Sequence, residues 1–348
     1  MPIVGSQVIL CDLPVRFDTY IGCSHRCQYC FVQKKNEDAF RVEFGENVNH
    51  LKDWTSGARK GRAIWCDWDI PIHWGGMSDP FQPAEAKYRR SLDCLRVFAD
   101  TGYPVVFSTK GKLAAEPQYL ELMKRANLAA QVSIVAPSYD VIEPGAPPFA
   151  ERLRIVEALA ANTKRVIARL QPLKLSALSE VLSKTLPLLS RTGCSGVTVE
   201  GYKSTRGVEQ DGEMQKVGGD MVYRLSALRP ALESIRDEAH SLGMKFYAAE
   251  NRLRSMGDDV CCCGVADIPG WRVNRCNLNH LYFGGYEETE KQKERGTGDV
   301  FAAITQQPGI DRLVMPTPFI RNMGEIAKSR AAMEMMGYIE PVEQLGMF

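Results

Sequence analysis

Cys23, Cys27 and Cys30 lie within one run of the chain, Thr19-Tyr20-Ile21-Gly22-Cys23-Ser24-His25-Arg26-Cys27-Gln28-Tyr29-Cys30-Phe31. Three thiolates at this spacing can wrap one cubane iron–sulfur cluster. A ferredoxin-like site needs a fourth cysteine, and none follows locally. Three ligands leave one iron open, and an open metal position is what a catalytic site requires. Two other chemistries compete. Zinc sites usually pair two dicysteine knuckles, and a gap of three residues followed by two is unusual for them. Packed core thiols rarely sit in a loop as polar as Ser24, His25, Arg26 and Gln28. The spacing therefore points to a four-iron, four-sulfur cluster.

A second group follows much later. Cys261, Cys262 and Cys263 are consecutive, and Cys276 and His280 come after them. Adjacent residues in an extended chain point to opposite sides, so all three thiols cannot easily reach one metal. Cys262, Cys263, Cys276 and His280 form a candidate second site, for another cluster or for zinc. Buried structural thiols with a satisfied histidine are the competing explanation.

The elements that position these groups alternate. Short apolar runs predict strands near Asp18–Gly22, Pro71–Gly75, Pro104–Ser108, Ala129–Val135, Arg165–Leu170, Gly196–Glu200 and Lys245–Ala249. Helical patterns lie between them. Phe149, Leu153, Val156 and Leu159 share one helix face, and so do Leu225, Leu228, Leu232, Ile235, Ala239 and Leu242. Gly243 is placed to end the second of these helices. Strands alternating with helices predict a parallel α/β sheet that curls into a full or partial barrel. In such barrels the site lies at the carboxyl ends of the strands, and the cysteine loop ends the first predicted strand. The expected boundary falls near residue 255. A cysteine-, glycine- and proline-rich C-terminal extension, 256–348, should pack on the barrel, with helices near Gly298–Gln306 and Met323–Met336.

The chain has 348 residues, 45% of them apolar, ample for one large domain with an extension. No run of about eighteen apolar residues predicts a membrane span. Met1 to Asp18 does not read as a secretory leader, so a cytoplasmic location is expected. There, eleven cysteines should not form structural disulfides. The formal net charge of +1 gives no global attraction for nucleic acid, although a local basic groove is compatible with it.

Several segments in order resemble the radical S-adenosylmethionine (SAM) superfamily, in the branch of spore photoproduct lyase. The resemblance runs from about Asp18 to Pro172. It is carried by the cysteine loop with Tyr29 and Phe31, then by Gly75-Gly76-Met77-Ser78-Asp79-Pro80 and Phe107-Ser108-Thr109-Lys110. Val132-Ser133-Ile134, Ile142-Glu143-Pro144-Gly145 and Glu151-Arg152-Leu153 complete it. It implies a partial (β/α)6-type barrel and an enzyme that reductively cleaves SAM to a 5′-deoxyadenosyl radical. It also implies a flavodoxin- or ferredoxin-like reductant. By position, Gly75, Gly76, Ser78 and Asp79 would hold the methionyl amino group. Lys110, Ser133 and Arg169 are candidates for other SAM contacts, Lys110 and Arg169 for its carboxylate, and Glu200 for the ribose. One departure stands out. Photoproduct lyases carry a hydrogen-donating cysteine where this chain has Met77, and a thioether has no S–H to give. Cys66 is the alternative donor.

The substrate is less legible than the reaction. A DNA base or modified nucleotide is the first expectation, from the resemblance, from Arg59-Lys60-Gly61-Arg62 and Lys34–Lys35, and from Trp54, Trp65, Trp68 and Trp74 as stacking surfaces. Lysis, decarboxylation or isomerisation of a base substituent would fit. A peptide or small metabolite, with an auxiliary cluster, is the second. A non-enzymatic iron–sulfur or zinc protein that binds nucleic acid or senses redox state is the third.

Overall fold

The computed structural model describes residues 3–4, 11–34, 41–59, 66–204, 212–217 and 220–294. Lys35, Lys60, Gly61, Arg62, Trp65 and the two late helices expected at Gly298–Gln306 and Met323–Met336 lie outside the described residues.

Seven parallel strands form the main sheet, and they lie side by side in chain order. They are β1 (Val15–Phe17), β2 (Ile72–Trp74), β3 (Val105–Thr109), β4 (Leu128–Ser133), β5 (Arg165–Leu173), β6 (Gly196–Gly201) and β7 (Lys245–Ala248). Ile3–Val4 adds an antiparallel edge beside β1. Helices fill the crossovers: α1 (Val48–Thr55), α2 (Arg90–Thr101), α3 (Pro117–Arg125), α4 (Phe149–Ala160) and α5 (Leu225–Ser241). The β5–β6 crossover is helical too, with a π turn at Val181–Thr185. Six strand–helix units and a closing strand thus give the expected α/β partial barrel. The first sheet strand is β1, upstream of the expected Asp18–Gly22. Tyr20–Ile21 instead leaves the sheet to pair with Glu43–Phe44. No helix among the described residues is long and apolar enough to cross a membrane.

Strand alternation gives the sheet two different faces. Phe17, Trp74, Phe107, Ala130, Val132, Leu170, Val199 and Phe246 face the helices in the main core. Trp74 is fully buried, with Phe81, Phe98 and Phe107 at centroid distances of 5.4, 5.5 and 6.1 Å. Edge-on aromatic packing of this kind adds to simple burial.

The other face is covered at its lower end by the C-terminal segment. Cys261, Cys263, Val265, Ile268, Trp271 and Val273 pack with Leu13, Val106 and Ala129. Gln131 Nε2 donates to the Cys263 carbonyl at 3.1 Å, and Trp271 Nε1 to Asn127 Oδ1 at 2.8 Å. The described part of the extension therefore plugs the amino-terminal end of the barrel. Asp267 anchors the plug, pairing with Arg165 and accepting from Lys245 Nζ at 2.7 Å.

The Arg165 hydrogen bond, with Lys245 beside it, holds the Asp267 carboxyl down at about 2, below its ordinary 3.8. A carboxyl depressed on folding stabilises above its unfolded value and loses that contribution as pH falls through the folded one. Asp267 is 43% exposed, so solvent screening limits the effect. Asp267→Asn should cost about 1 kcal/mol or less in urea unfolding at pH 7. The difference from wild type should shrink as pH falls from 3.8 toward about 2; a constant difference would contradict the ion-pair account.

Candidate active site

The cysteine loop leaves the carboxyl end of β1 and is tied down at several points. Gln82, fully buried, is one clamp. Its Oε1 accepts from the Ser24 N–H at 2.9 Å, and its Nε2 donates to the Gly22 carbonyl at 3.1 Å. The Gln28 N–H donates to the Ile142 carbonyl at 2.9 Å, and the Gly145 N–H to the His25 carbonyl at 2.9 Å. A Cβ on Gly145 would lie 2.4 Å from the Ser24 carbonyl oxygen, so only glycine admits this approach. The loop itself turns through Arg26, held in a left-handed conformation at φ 53°.

Asp79 joins this loop to the strand ends. Its Oδ2 accepts from the Lys110 N–H at 2.6 Å and contacts His25 Nε2 at 3.0 Å. Its Oδ1 accepts from the Thr109 hydroxyl at 2.7 Å and the Phe81 N–H at 2.8 Å. Burial pushes this carboxyl up, but the His25 ring and these donors outweigh burial and hold it below the ordinary carboxylate range. His25 Nδ1 lies 2.9 Å from the Gly145 carbonyl, so one imidazole bridges two walls of the site.

Cys27 is buried, while Cys23 and Cys30 are partly exposed. Burial, then Asp79, pushes the Cys23 thiol up to about 12. Burial raises Cys27 as well, with the Lys110 ammonium opposing it. Cys23 feels Cys27, and Cys27 feels Cys30, so the three sulfurs share one neighbourhood. Among the described residues no three such side chains converge tightly enough for a single metal ion. A cubane presents its irons at separate corners, so thiolates that surround it stand further apart than ligands of one ion. The donor set, three thiols at the mouth of a parallel barrel beside a lysine, fits a cluster better than an ion.

The other sequence-predicted residues divide. Gly75 sits at φ 85°, its N–H donating to the Phe17 carbonyl at 3.0 Å, and Gly76 packs against the Arg16 side chain. The Met77 and Ser78 N–H groups donate to Asp18 Oδ1 at 2.9 and 3.2 Å, and the Ser78 hydroxyl to the Tyr20 carbonyl at 2.5 Å. Lys110 Nζ lies 3.8 Å from Glu143 Oε1 and 5.6 Å from the Tyr29 ring centroid. Glu143 also takes Tyr29 and Arg152, and Arg152 donates to the Ser133 carbonyl at 3.1 Å. Arg169 Nη1 donates to the Ser108 hydroxyl at 2.8 Å, and Glu200 pairs with Lys203 and accepts from Gln171. All of these lie at or near the carboxyl ends of the strands.

Cys66 does not join them. It is fully buried in the helix-facing core, donates to the Trp68 carbonyl at 3.3 Å, and burial pushes its thiol up to about 11. Among the described residues the candidate second set forms no group that could hold a single metal ion. Cys276 lies in the main core, 3.5 Å from the Tyr286 hydroxyl, and His280 Nε2 meets Asp12 at 2.7 Å. Cys262 and Cys263 lie in the plug, where Cys11, Arg254 and Asp12, the partner of His280, are the neighbours of Cys262. Hydrogen bonding to Cys263, and then the Arg254 guanidinium, hold the Cys262 thiol below its ordinary range in spite of burial. Trp54 and Trp74 are fully buried, donating to the Tyr103 and Thr19 hydroxyls, and so present no face to a base.

Gln82, Asp18, Arg16, His73 and Gln131 were missed as site residues. The last three had a signal: each is a polar residue at an alternate position of an otherwise apolar strand, as in Val15-Arg16-Phe17 and Ile72-His73-Trp74. Gln82 and Asp18 are loop residues whose partners lie about sixty positions away, and they carried none.

Gly145→Val would drive a side chain into the loop carbonyls. It should cost about 1–3 kcal/mol and lower the iron retained per chain after reconstitution. Wild-type melting and iron content in this variant would contradict the loop packing described.

No family profile matches the chain. Uncharacterized proteins of Mycobacterium tuberculosis and Mycobacterium bovis are each 27% identical to it over 215 residues. These matches cover 56% of this chain and 62% of theirs, less than two-thirds of the relatives' length. Among solved structures, spore photoproduct lyase complexed with dinucleoside spore photoproduct superposes with a TM-score of 0.57 at 16% identity, over 72% of this chain and 79% of that one. A mutant of the lyase with bound AdoMet and the same dinucleoside gives 0.55 at 16%, over 68% and 76%. In fold, the chain is thus an α/β partial barrel of the form found in spore photoproduct lyase.

Proposed function

We propose that this protein is a radical SAM enzyme whose cluster is held by Cys23, Cys27 and Cys30. The observation that carries the reading is the position of these three thiols: a clamped loop at the carboxyl end of the first strand, in this fold. When bound, the cluster supplies the electron that splits the carbon–sulfur bond of SAM, leaving methionine and a 5′-deoxyadenosyl radical that takes a hydrogen atom from the substrate.

The chain's own residues prepare that site. Asp79 and His25 fix the loop against Thr109 and Gly145. Gly75 and Gly76 admit Pro80, the Ser108 carbonyl and the Arg16 side chain close to the β2 end, where backbone carbonyls would accept from an ammonium group. Lys110, beside Cys27 and only loosely paired with Glu143, offers a cation to a carboxylate. Ser133 and Glu200, at the ends of β4 and β6, complete the rim. A flavodoxin- or ferredoxin-like protein would supply the electron, in the cytoplasm.

For the substrate, a nucleobase or modified nucleotide in DNA is the preferred class, on the likeness to a lyase crystallised with a dinucleoside. Met77 argues against thymine-dimer repair itself, because its thioether cannot return a hydrogen atom. It accepts instead from Arg16 Nη1 at 3.5 Å. Lysis, decarboxylation or isomerisation of a base substituent remains in keeping with that side chain.

The test is anaerobic. Protein reconstituted with iron and sulfide, reduced and given SAM should yield 5′-deoxyadenosine. Cys23→Ala, Cys27→Ala or Cys30→Ala should lower the yield by at least about a hundredfold, together with the iron content. Uptake of zinc alone, or full turnover in any of the three variants, would overturn the assignment.

A further inference from the structure

Two arginines face the inner side of the sheet without a carboxylate. Arg16 lies between Val15 and Phe17, which face the helices, so its side chain turns inward. Its only hydrogen bond among the described residues is the one from Nη1 to Met77 Sδ. Arg169, on β5, donates to Ser108 Oγ at 2.8 Å, to Gln131 Oε1 at 3.3 Å and, through Nε, to Gln171 Oε1 at 3.1 Å. Every one of these acceptors is neutral. Asp18 is near enough to feel Arg16, but its Oδ1 is taken by two backbone N–H groups and burial pushes its carboxyl up.

The residues between the two cations agree. His73, next to Arg16 in the β1–β2 register, contacts Ser108 Oγ through Nε2 at 2.9 Å. Burial, then Arg169 and Arg16, lowers it to about 3, so it is a neutral ring in a positive field. Thr198 stands beside Arg169 in the β5–β6 register, on the same face. It is 2% exposed, and its hydroxyl has no hydrogen-bond partner. An orphaned buried hydroxyl is destabilising, and so are two half-buried guanidinium groups that face no carboxylate. A negatively charged oxygen ligand would offset both.

We propose that Arg16 and Arg169, with the Thr198 hydroxyl, receive an oxyanion of the substrate, a carboxylate or a phosphate. This rests on reading the strand ends above as the SAM site. It assigns Arg169 to the substrate rather than to the carboxylate of SAM. Lys110 and Ser133 stand at the very ends of β3 and β4. Ser108 and Gln131, which hold Arg169, lie two residues deeper along the same strands. The anion would thus bind below SAM and fix the reacting part of the substrate between the two.

The probes are inorganic phosphate and acetate, titrated calorimetrically into the cluster-loaded full chain, with and without saturating SAM. At least one should bind with SAM present, and Arg16→Gln and Arg169→Gln should each weaken it at least tenfold. Arg16→Lys, which keeps the charge, should retain most of the affinity. Tighter phosphate supports a phosphorylated substrate, and tighter acetate a carboxylic acid. Binding of neither probe, displacement by SAM, or wild-type affinity in Arg16→Gln would overturn the proposal. Equal loss in Arg16→Lys and Arg16→Gln would do the same. Deoxyadenosine measured in the same samples separates the two readings. Arginine-dependent binding without deoxyadenosine sinks the SAM assignment alone, and deoxyadenosine without probe binding sinks this one.

Discussion

The site depends on one carboxylate. Asp79 accepts four hydrogen bonds, from Thr109, Phe81, Lys110 and His25, and so binds the β2 end, the β3 end and the cysteine loop into one unit. Its burial would be costly if it were unpaired, and the surrounding donors are what make the ionised form the stable one. His25 then passes the constraint to Gly145, and Gln82 secures the other side of the loop. A loop that must present three sulfurs at defined separations cannot rely on its own conformational preferences. Here the fixing is done by groups that are themselves buried and fully used.

The sheet resolves a second conflict, between a stable core and a polar cavity. One face carries the aromatic and aliphatic core under the helices, and the other carries Arg16, His73, Ser108, Gln131, Arg169 and Thr198. Left open, the lower part of the inner face would expose Val106 and Ala129 to water. The segment through Cys261, Cys263 and Trp271 covers them. The extension thus stoppers the barrel, which confines the polar inner face to the carboxyl end where the cysteine loop lies.

Much of this was legible in the chain. Six of the seven parallel strands and the two long helices follow from periodicity, because each is buried on a regular face. The first strand was misplaced by a few residues, since Tyr20–Ile21 is as apolar as β1 but pairs with Glu43–Phe44 outside the sheet. The cysteine loop was visible because its spacing is local. The helical spacing of Cys276 and His280 suggests a common face with Cys262 and Cys263, but Cys276 turns into the main core and His280 pairs with Asp12. The network around Asp79 joins residues about thirty to fifty-four positions apart, and no local pattern encodes such pairing. The plug was equally hidden, because a segment with neither helical nor strand period gives no clue to which surface it covers.

The central claim is that three thiolates leave one iron free to take SAM. It is tested most directly by magnetic resonance on the reduced, cluster-loaded protein with SAM labelled at its amino nitrogen and carboxylate oxygen. The account predicts a change in the cluster spectrum on adding SAM and a resolved hyperfine coupling to both labels. A cluster whose spectrum SAM leaves unchanged, with no coupling to either label, would contradict it.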